Sequence, residues 1–233
     1  MERKDYLRQG GPCFHFDTEL FPPTTDSFAL GYFAAPRRGE RVCDLGSGTG
    51  LLGTLLLARE PSLTLCCVEQ SAAASALAEK TFAENGWAQR VTLCVGDLRE
   101  AAALPAAGSM DYALSNPPYY PAHSGASAAS PARQTAREEV GCTLDEVCAA
   151  AARVLRWGGR FALVHKPERL TDLLCSLRAH GMEPKRLRFV LSATESVPSL
   201  VLVEARRGGK SGLSVEPMLT IGSADWDKVY FRT

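Results

Sequence analysis

The sequence predicts an α/β fold: a mostly parallel sheet of seven strands, with an antiparallel strand at its C-terminal end and helices on both faces. Short apolar runs alternate with helical segments between residues 41 and 181, which is the pattern of parallel strands joined by crossover helices. The last two runs, at 186–191 and 199–205, are joined by a short loop and favour an antiparallel pair. Acidic or amide side chains mark the ends of four runs, so one edge of the sheet is expected to bind a ligand.

Length and composition indicate one domain over residues 1–233, with an entry segment at 1–38 and the α/β core at 39–210. A hydrophobic content of 45% in 233 residues is enough for a full core. Lys+Arg and Asp+Glu both number 26, so net charge neither indicates nor excludes a nucleic-acid partner, for which a local basic patch suffices. The eight cysteines have no zinc-binding spacing, so we expect no metal. No run is long enough to span a membrane and we find no signal peptide, so we expect a cytoplasmic protein with reduced thiols. The sequence indicates no obligate protein partner.

The entry segment begins with a dozen polar and charged residues, which we expect to be loosely held. Residues 24–26 then offer side-chain oxygens that can cap a helix, and this helix places Phe28 and Phe33 on an apolar side. Pro36 and Gly39 end it before the first core strand.

A glycine-rich turn, DLGSGTG at 44–50, joins the strand at 41–45 to an apolar helix. Gly46, Gly48 and Gly50 permit a tight turn and the close approach of a ligand to the backbone. The spacing is GxGxG after an acid, which differs from the GxGxxG of nicotinamide enzymes and from the GxxxxGK phosphate loop. Asp44 therefore suits a cationic or hydrogen-bond-donating ligand, and the alternative is a strand–helix turn without a ligand.

Two further carboxylates follow the next strands. Glu69 ends the strand at 63–68, nineteen residues after Gly50, which is close to the spacing at which an acid binds a ribose diol in doubly wound folds. Asp97 follows the strand at 91–95. A scatter of surface acids would not recur at successive strand ends, so the recurrence favours a ligand site.

The segment NPPYY at 116–120 follows a fourth strand, at 111–115. Its two prolines end the hydrogen bonding of this strand with its neighbours, because neither proline donates a backbone hydrogen bond. An amide, rigid carbonyls and aromatic rings are thereby presented at the ligand-binding edge, and the alternative is a turn that merely closes the strand. Residues 121–131 are small and polar and are expected to form a mobile loop beside the site.

Several charged groups later in the chain have two interpretations. Arg133 and Arg137, in RQTAREE, are either a solvated stretch or substrate contacts. His165 and Lys166 lie at another strand end, where a structural role is favoured over a place in the site. Basic residues around the final hairpin, at 185–188 and 206–210, suit phosphate contact or protection of an edge strand equally well.

Taken together, DLGSGTG, Glu69, Asp97 and NPPYY resemble a class I S-adenosylmethionine-dependent methyltransferase, which has a Rossmann-like fold. NPPY is the signature of the branch that methylates amino groups. The chain is most similar to the bacterial tRNA1(Val) adenine-N6-methyltransferase family, from about residue 14 to 205, including Asp26-Ser27, AREE and TLDEV. The resemblance implies N6-methylation of a tRNA adenine, next to the anticodon of a valine tRNA, with S-adenosylmethionine as cofactor.

The resemblance also implies site residues, with the entry segment covering the cofactor. Residues implied for catalysis are Asn116, Pro117 and Tyr119. Residues implied for the cofactor are Asp26, Asp44, Gly46, Gly48, Gly50, Glu69, Asp97, Leu98 and Asn116. Residues implied for the substrate are Pro118, Tyr119, Tyr120, Arg133 and Arg137. Two alternatives stay open, a protein glutamine N5-methyltransferase and a non-catalytic cofactor-binding module.

Overall fold

The computed structural model describes residues 1–19, 22–119, 142–192 and 197–231. The chain begins with an antiparallel hairpin of β1 (Glu2–Tyr6) and β2 (Cys13–Asp17). The expectation of a loosely held start is therefore wrong for these residues. The charged side chains of β1 gave no apolar alternation to indicate a strand, and pairing with β2 supplies the order instead.

Within the described residues, nine strands form the main sheet, two more than the seven expected. They are β3 (Arg41–Leu45), β4 (Thr64–Glu69), β5 (Val91–Val95), β6 (Met110–Ser115), β7 (Leu155–His165), β8 (Met182–Leu191), β9 (Pro198–Arg207), β10 (Ser214–Val215) and β11 (Leu219–Thr220). The order is β10-β8-β9-β7-β6-β3-β4-β5, with β11 also on β8. Strands β3 to β7 pair in parallel, and β9 runs antiparallel to β7 and β8. The mostly parallel sheet with an antiparallel C-terminal strand is confirmed, and the extra strands have two residues each.

Helices cover both faces of this sheet. They are α1 (Thr25–Phe33), α2 (Leu51–Arg59), α3 (Ala72–Glu84), α4 (Leu144–Val154), α5 (Leu170–Ala179) and α6 (Ala224–Val229). One buried cluster joins α1, α2, α3 and α6 to the sheet, and a second joins α4 and α5 to the opposite face. Within the described ranges, every helix is too short or too polar to cross a membrane.

Local signals account for several helix ends. The Ser71 side chain accepts the N–H of Ala74 and caps α3, and Thr143 forms a reciprocal capping box with Glu146 at the start of α4. Thr24 precedes α1 without a side-chain capping bond. Helix α4 gives way directly to β7 at Leu155, so the glycine pair at 158–159 lies within a strand rather than at the end of the helix.

Two basic residues of the final hairpin, Arg186 and Arg188, contact other segments of the same chain. Arg186 pairs with Glu216 at 2.7 Å and Glu204 at 3.2 Å, and Arg188 donates to the Pro217 carbonyl at 2.8 Å. These contacts fasten the segment around β10 and β11 to β8. Arg186 and Arg188 are thus bound within the protein, and β8 is not an exposed edge because β10 and β11 pair with it, so these contacts support a structural role rather than either of the two interpretations.

Candidate active site

The structure brings the four strand ends to one edge of the sheet. β5, β4, β3 and β6 are consecutive parallel neighbours, and their carboxyl ends carry Asp97, Glu69, Asp44 and Asn116 respectively. The register places Asp44 opposite Cys67 of β4 on one side and opposite Leu114 of β6 on the other. This geometry agrees with the expectation that the four strand ends lie along one edge of the sheet.

The glycine-rich turn lies against the end of β4. The N–H groups of Gly46 and Ser47 both donate to the Val68 carbonyl, at 2.9 and 3.0 Å. Gly46 and Gly48 have φ values of 74° and 53°, the left-handed region that favours glycine. A Cβ atom built on either residue meets nothing within 4 Å, so the turn borders open space.

Asp44 is the most unusual ionisable group at this edge. The residue is 1% exposed, and neither carboxylate oxygen accepts a hydrogen bond of normal geometry from the described residues. Burial, reinforced by the charge of Glu69, raises its pKa to about 8, and the nearby backbone N–H of Gly53 offsets this rise only in part. A buried acid without a partner is costly, so the arrangement favours a cationic ligand group that pairs with Asp44.

Glu69 is fixed in place by backbone donors. One carboxylate oxygen accepts the N–H of Gly48 at 2.8 Å, and the other accepts the N–H of Ser71 at 2.8 Å. The side chain thus links the glycine-rich turn to the start of α3. Each oxygen keeps a further lone pair, so the carboxylate can still accept hydrogen bonds from a diol.

Asp97 and Leu98 complete the cofactor set expected from the sequence. Asp97 accepts from both the backbone N–H and the Nε of Arg99, each at 2.9 Å, and the Arg99 guanidinium lowers the pKa of this carboxyl group. Leu98 is buried in the cluster beneath α4 and α5. The Leu98 side chain therefore belongs to the core, which leaves its backbone as the part available to a ligand.

Asn116 is held through its amide nitrogen. Its Nδ2 donates to Ser27 Oγ at 3.0 Å, and Ser27 lies in the first turn of α1. Pro117 is buried, and the preceding Ser115 hydroxyl donates to the Leu45 carbonyl at 2.7 Å. The NPP segment is therefore anchored on both sides, to the entry helix and to the glycine-rich strand.

Tyr119 lies where several groups meet. Its hydroxyl donates to Asp26 and lies 3.2 Å from Asn116 Oδ1. Its ring centroid is 5.3 Å from that of His165, and the Lys166 ammonium is 5.2 Å from the ring centroid. Asp26, which the resemblance assigns to the cofactor, thus contacts the NPPY segment directly.

A cleft of about 490 Å³ opens beside Tyr119. Pro118, His165 and Arg169 lie on its wall, together with residues of α4 and α5. Burial, reinforced by the charge of Arg169, lowers the pKa of His165 to about 4, and its Nδ1 accepts the N–H of Lys166 at 2.9 Å. His165 is therefore a neutral ring that packs on Tyr119.

Three of the expected substrate residues, Tyr120, Arg133 and Arg137, lie outside the described residues, as does the loop at 121–131. Conversely, Ser27 was not among the residues expected to form the site. A serine in the first turn of a helix has many uses, and only its distance to Asn116 distinguishes this one. For His165 and Lys166, the structure favours a position at the site over a purely structural role.

The family follows from comparison with known proteins. A family model of the methyltransferase small domain matches residues 28–175, which is more than half of the chain. The chain belongs to this family. The methyltransferase is 31% identical to the tRNA1(Val) (adenine(37)-N6)-methyltransferase of Aeromonas hydrophila over 198 residues, which cover 84% of this chain and 81% of the relative. It is 32% identical to the enzyme of the same name from Dickeya chrysanthemi, over 89% of this chain and 83% of that one.

Solved structures confirm the class I methyltransferase fold. A predicted O-methyltransferase from Agrobacterium tumefaciens matches with a TM-score of 0.71 at 18% identity, over 90% of this chain and 97% of that one. Precorrin-6y C5,15-methyltransferase from Geobacter metallireducens matches with a TM-score of 0.58 at 16% identity, over 85% and 94%.

The protein is an S-adenosylmethionine-dependent methyltransferase. Two features of the site suit this cofactor. The unpartnered oxygens of Asp44 match a cationic amino group, and the open space over Gly46 and Gly48 leaves room for a ligand against the backbone.

Proposed function

We propose that this methyltransferase methylates the N6 amine of an adenine in tRNA, at the position next to the anticodon of a valine tRNA. The names of relatives that align over most of the chain support the substrate. The arrangement of Asn116 carries the chemistry, because the bond from its Nδ2 to Ser27 fixes the orientation of the amide and leaves Oδ1 as an acceptor beside the Tyr119 hydroxyl. A cytoplasmic location follows from a tRNA substrate.

The reaction needs acceptors for the amine hydrogens. An exocyclic amine is a poor nucleophile because its lone pair is delocalised into the ring, and two fixed acceptors favour the pyramidal geometry of the transition state. Asn116 Oδ1 and the Pro117 carbonyl take this role. Burial of Pro117 and the rigidity of its ring fix the direction of the second acceptor.

The Tyr119 ring stacks on the adenine, which contributes about 1–3 kcal/mol for a base–aromatic contact. The base leaves its own stack to reach the site, and this costs least in an RNA loop. Lys166 supplies a cation beside the stacking ring, with its ammonium 5.2 Å from the ring centroid. Its flexible chain suits contact with the phosphate of the target nucleotide.

S-adenosylmethionine supplies the methyl group when bound. Asp44 pairs with its amino group, Glu69 accepts its ribose hydroxyls, and the backbone of the glycine-rich turn borders its methionine portion. Asp97 and the backbone of Leu98 border its adenine. Most of the acceleration of methyl transfer comes from holding the adenine amine in line with the methyl donor.

We also propose that residues 1–233 form one domain, in which 39–210 form the core and, of the entry segment 1–38, helix α1 covers the site. Helix α1 supports this view, because Ser27 and Asp26 contact the NPPY segment while Phe28 and Phe33 are buried in the core. Residues 2–17 lie elsewhere, as a hairpin against α3, where His15 N–H donates to Thr81 at 2.9 Å. The cover therefore consists of α1 rather than of the whole segment.

Incubation with methyl-labelled S-adenosylmethionine and either total tRNA or a release-factor protein tests the proposal. We expect label in tRNA, recovered as N6-methyladenosine after digestion to nucleosides, and mapped to the residue next to the anticodon of a valine tRNA. Label only in protein would favour glutamine N5-methylation, and label in neither would favour a cofactor-binding module. A tRNA transcript with guanosine at the target position is the matched control.

A further inference from the structure

A closed set of contacts joins the first turn of α1 to the NPPY segment. Asp26 accepts from the Tyr119 hydroxyl, whose oxygen lies 3.2 Å from Asn116 Oδ1. Asn116 Nδ2 donates to Ser27, the neighbour of Asp26, at 3.0 Å. Tyr119 and Asn116 are thus each bonded to one of two adjacent residues in the first turn of α1.

The Tyr119 hydroxyl has one proton and, among the residues that the structure describes, two acceptors within reach. A phenol donates one hydrogen bond, whereas Asp26 Oδ2 and Asn116 Oδ1 can only accept. Hydrogen bonds to a charged carboxylate are about twice as strong as those to a neutral amide oxygen. The proton therefore lies on the side of Asp26, and Asn116 Oδ1 receives none from Tyr119.

This proton count bears on the reaction, because Asn116 Oδ1 is the acceptor that the amine of the substrate needs. We propose that Asp26 is a positioning residue that directs the proton of the Tyr119 hydroxyl away from Asn116 Oδ1 and so keeps this acceptor available to the amine. Without Asp26, the hydroxyl donates to Asn116 Oδ1, the other acceptor within reach among the described residues, at 3.2 Å, and there it competes with the substrate amine for a lone pair of this oxygen. The inference rests on the proposed function only in assuming that Asn116 accepts from an amine.

This role differs from the contact with cofactor that the resemblance implies for Asp26. If Asp26 acts through the Tyr119 hydroxyl, removal of the hydroxyl also removes the need for Asp26. If Asp26 binds cofactor, the loss of Asp26 weakens cofactor binding whether or not the hydroxyl is present. The two roles therefore predict opposite results when the changes are combined.

The experiment compares Asp26→Ala, Tyr119→Phe and the double variant in single-turnover methyl transfer with saturating cofactor. We expect Asp26→Ala to slow transfer about tenfold, the rate equivalent of one misdirected hydrogen bond, with the cofactor Kd unchanged. Tyr119→Phe, which keeps the ring, slows transfer by a smaller factor. The double variant should be faster than Asp26→Ala and equal to Tyr119→Phe. Thr25→Ala, in the same helical turn, is the matched control and should stay within about twofold of wild type.

A double variant as slow as Asp26→Ala, or slower, would overturn the role assigned to Asp26. A higher cofactor Kd for Asp26→Ala that persists in the double variant would do the same and would place Asp26 at the cofactor. The comparison uses rate ratios on whichever amine substrate the wild-type protein methylates. Wild-type protein that leaves tRNA unmethylated would instead count against the proposed function, so the two failures are distinguishable.

Discussion

The buried carboxyl group of Asp44 predicts that cofactor binding releases a proton. In the free protein burial raises the pKa of Asp44 to about 8, so the group is mostly neutral below that pH. A cationic amino group placed beside it favours the charged carboxylate and lowers this pKa on binding. Cofactor affinity should therefore rise with pH, and Asp44→Asn should remove the dependence.

The raised pKa sets the size of the effect. With a pKa of about 8, only about 3% of free molecules carry the charge at pH 6.5, so binding releases nearly one proton. The association constant should then rise about tenfold between pH 6 and pH 7. An α-amino group has a pKa of about 8, so the cofactor stays cationic in this range and contributes little to the slope. Asp44→Asn should bind more weakly than wild type, by a factor that grows as pH rises toward 8.

Isothermal titration calorimetry at pH 6.5, in buffers of different ionisation enthalpy, measures the released proton directly. Asp97→Asn is the matched control, because the pKa of Asp97 is lowered by Arg99 and this group stays charged throughout the range. The reasoning is refuted if the wild-type protein releases no proton, or if Asp44→Asn releases as many as wild type.

Three further predictions concern neighbouring residues. Ser27→Ala should lower kcat about tenfold by freeing the Asn116 amide to rotate, and Ser27→Thr should restore it, with thermal unfolding as a check that both variants fold. Lys166→Ala should weaken tRNA binding and reduce the slope of log K against log salt by about one, and equal slopes for this variant and Lys210→Ala would count against the phosphate contact. Gly50→Ala should reduce the free energy of unfolding, measured in urea, by about 1–3 kcal/mol. The reason is that Gly50 has a φ of 77° and that a Cβ atom there would lie 2.9 Å from the Phe82 ring. Unchanged stability of this variant would contradict the packing argument.

The sequence was sufficient to predict the main sheet and the edge that carries the site. Strands β3 to β6 are short apolar runs with Asp44, Glu69, Asp97 or Asn116 at or just beyond their ends. Parallel strands of one sheet have their carboxyl ends at the same edge, so the local pattern was enough to predict that these residues lie along one edge. The turn around Gly46 and Gly48 was predictable because its φ values require glycine.

Features that depend on long-range contacts were not predictable. Strand β1 has no apolar face, and its place depends on β2 and on ion pairs such as Lys80 with Glu2, at 2.6 Å. The contacts of Ser27 with Asn116 and of Asp26 with Tyr119 join residues about ninety positions apart. Their residue types are common in first helical turns, so only the folded structure distinguishes them.

The most direct test of the account is a measurement on Asn116→Ala of both cofactor Kd and single-turnover methyl transfer to tRNA. The account assigns Asn116 chiefly to the amine, so transfer should fall about a hundredfold to a thousandfold, while cofactor Kd stays within a few-fold of wild type. Glu69→Ala should show the reverse pattern, with weakened cofactor binding as its main defect. Loss of cofactor binding in Asn116→Ala, or methyl transfer that survives, would contradict the central claim that the NPPY segment holds the amine for methylation.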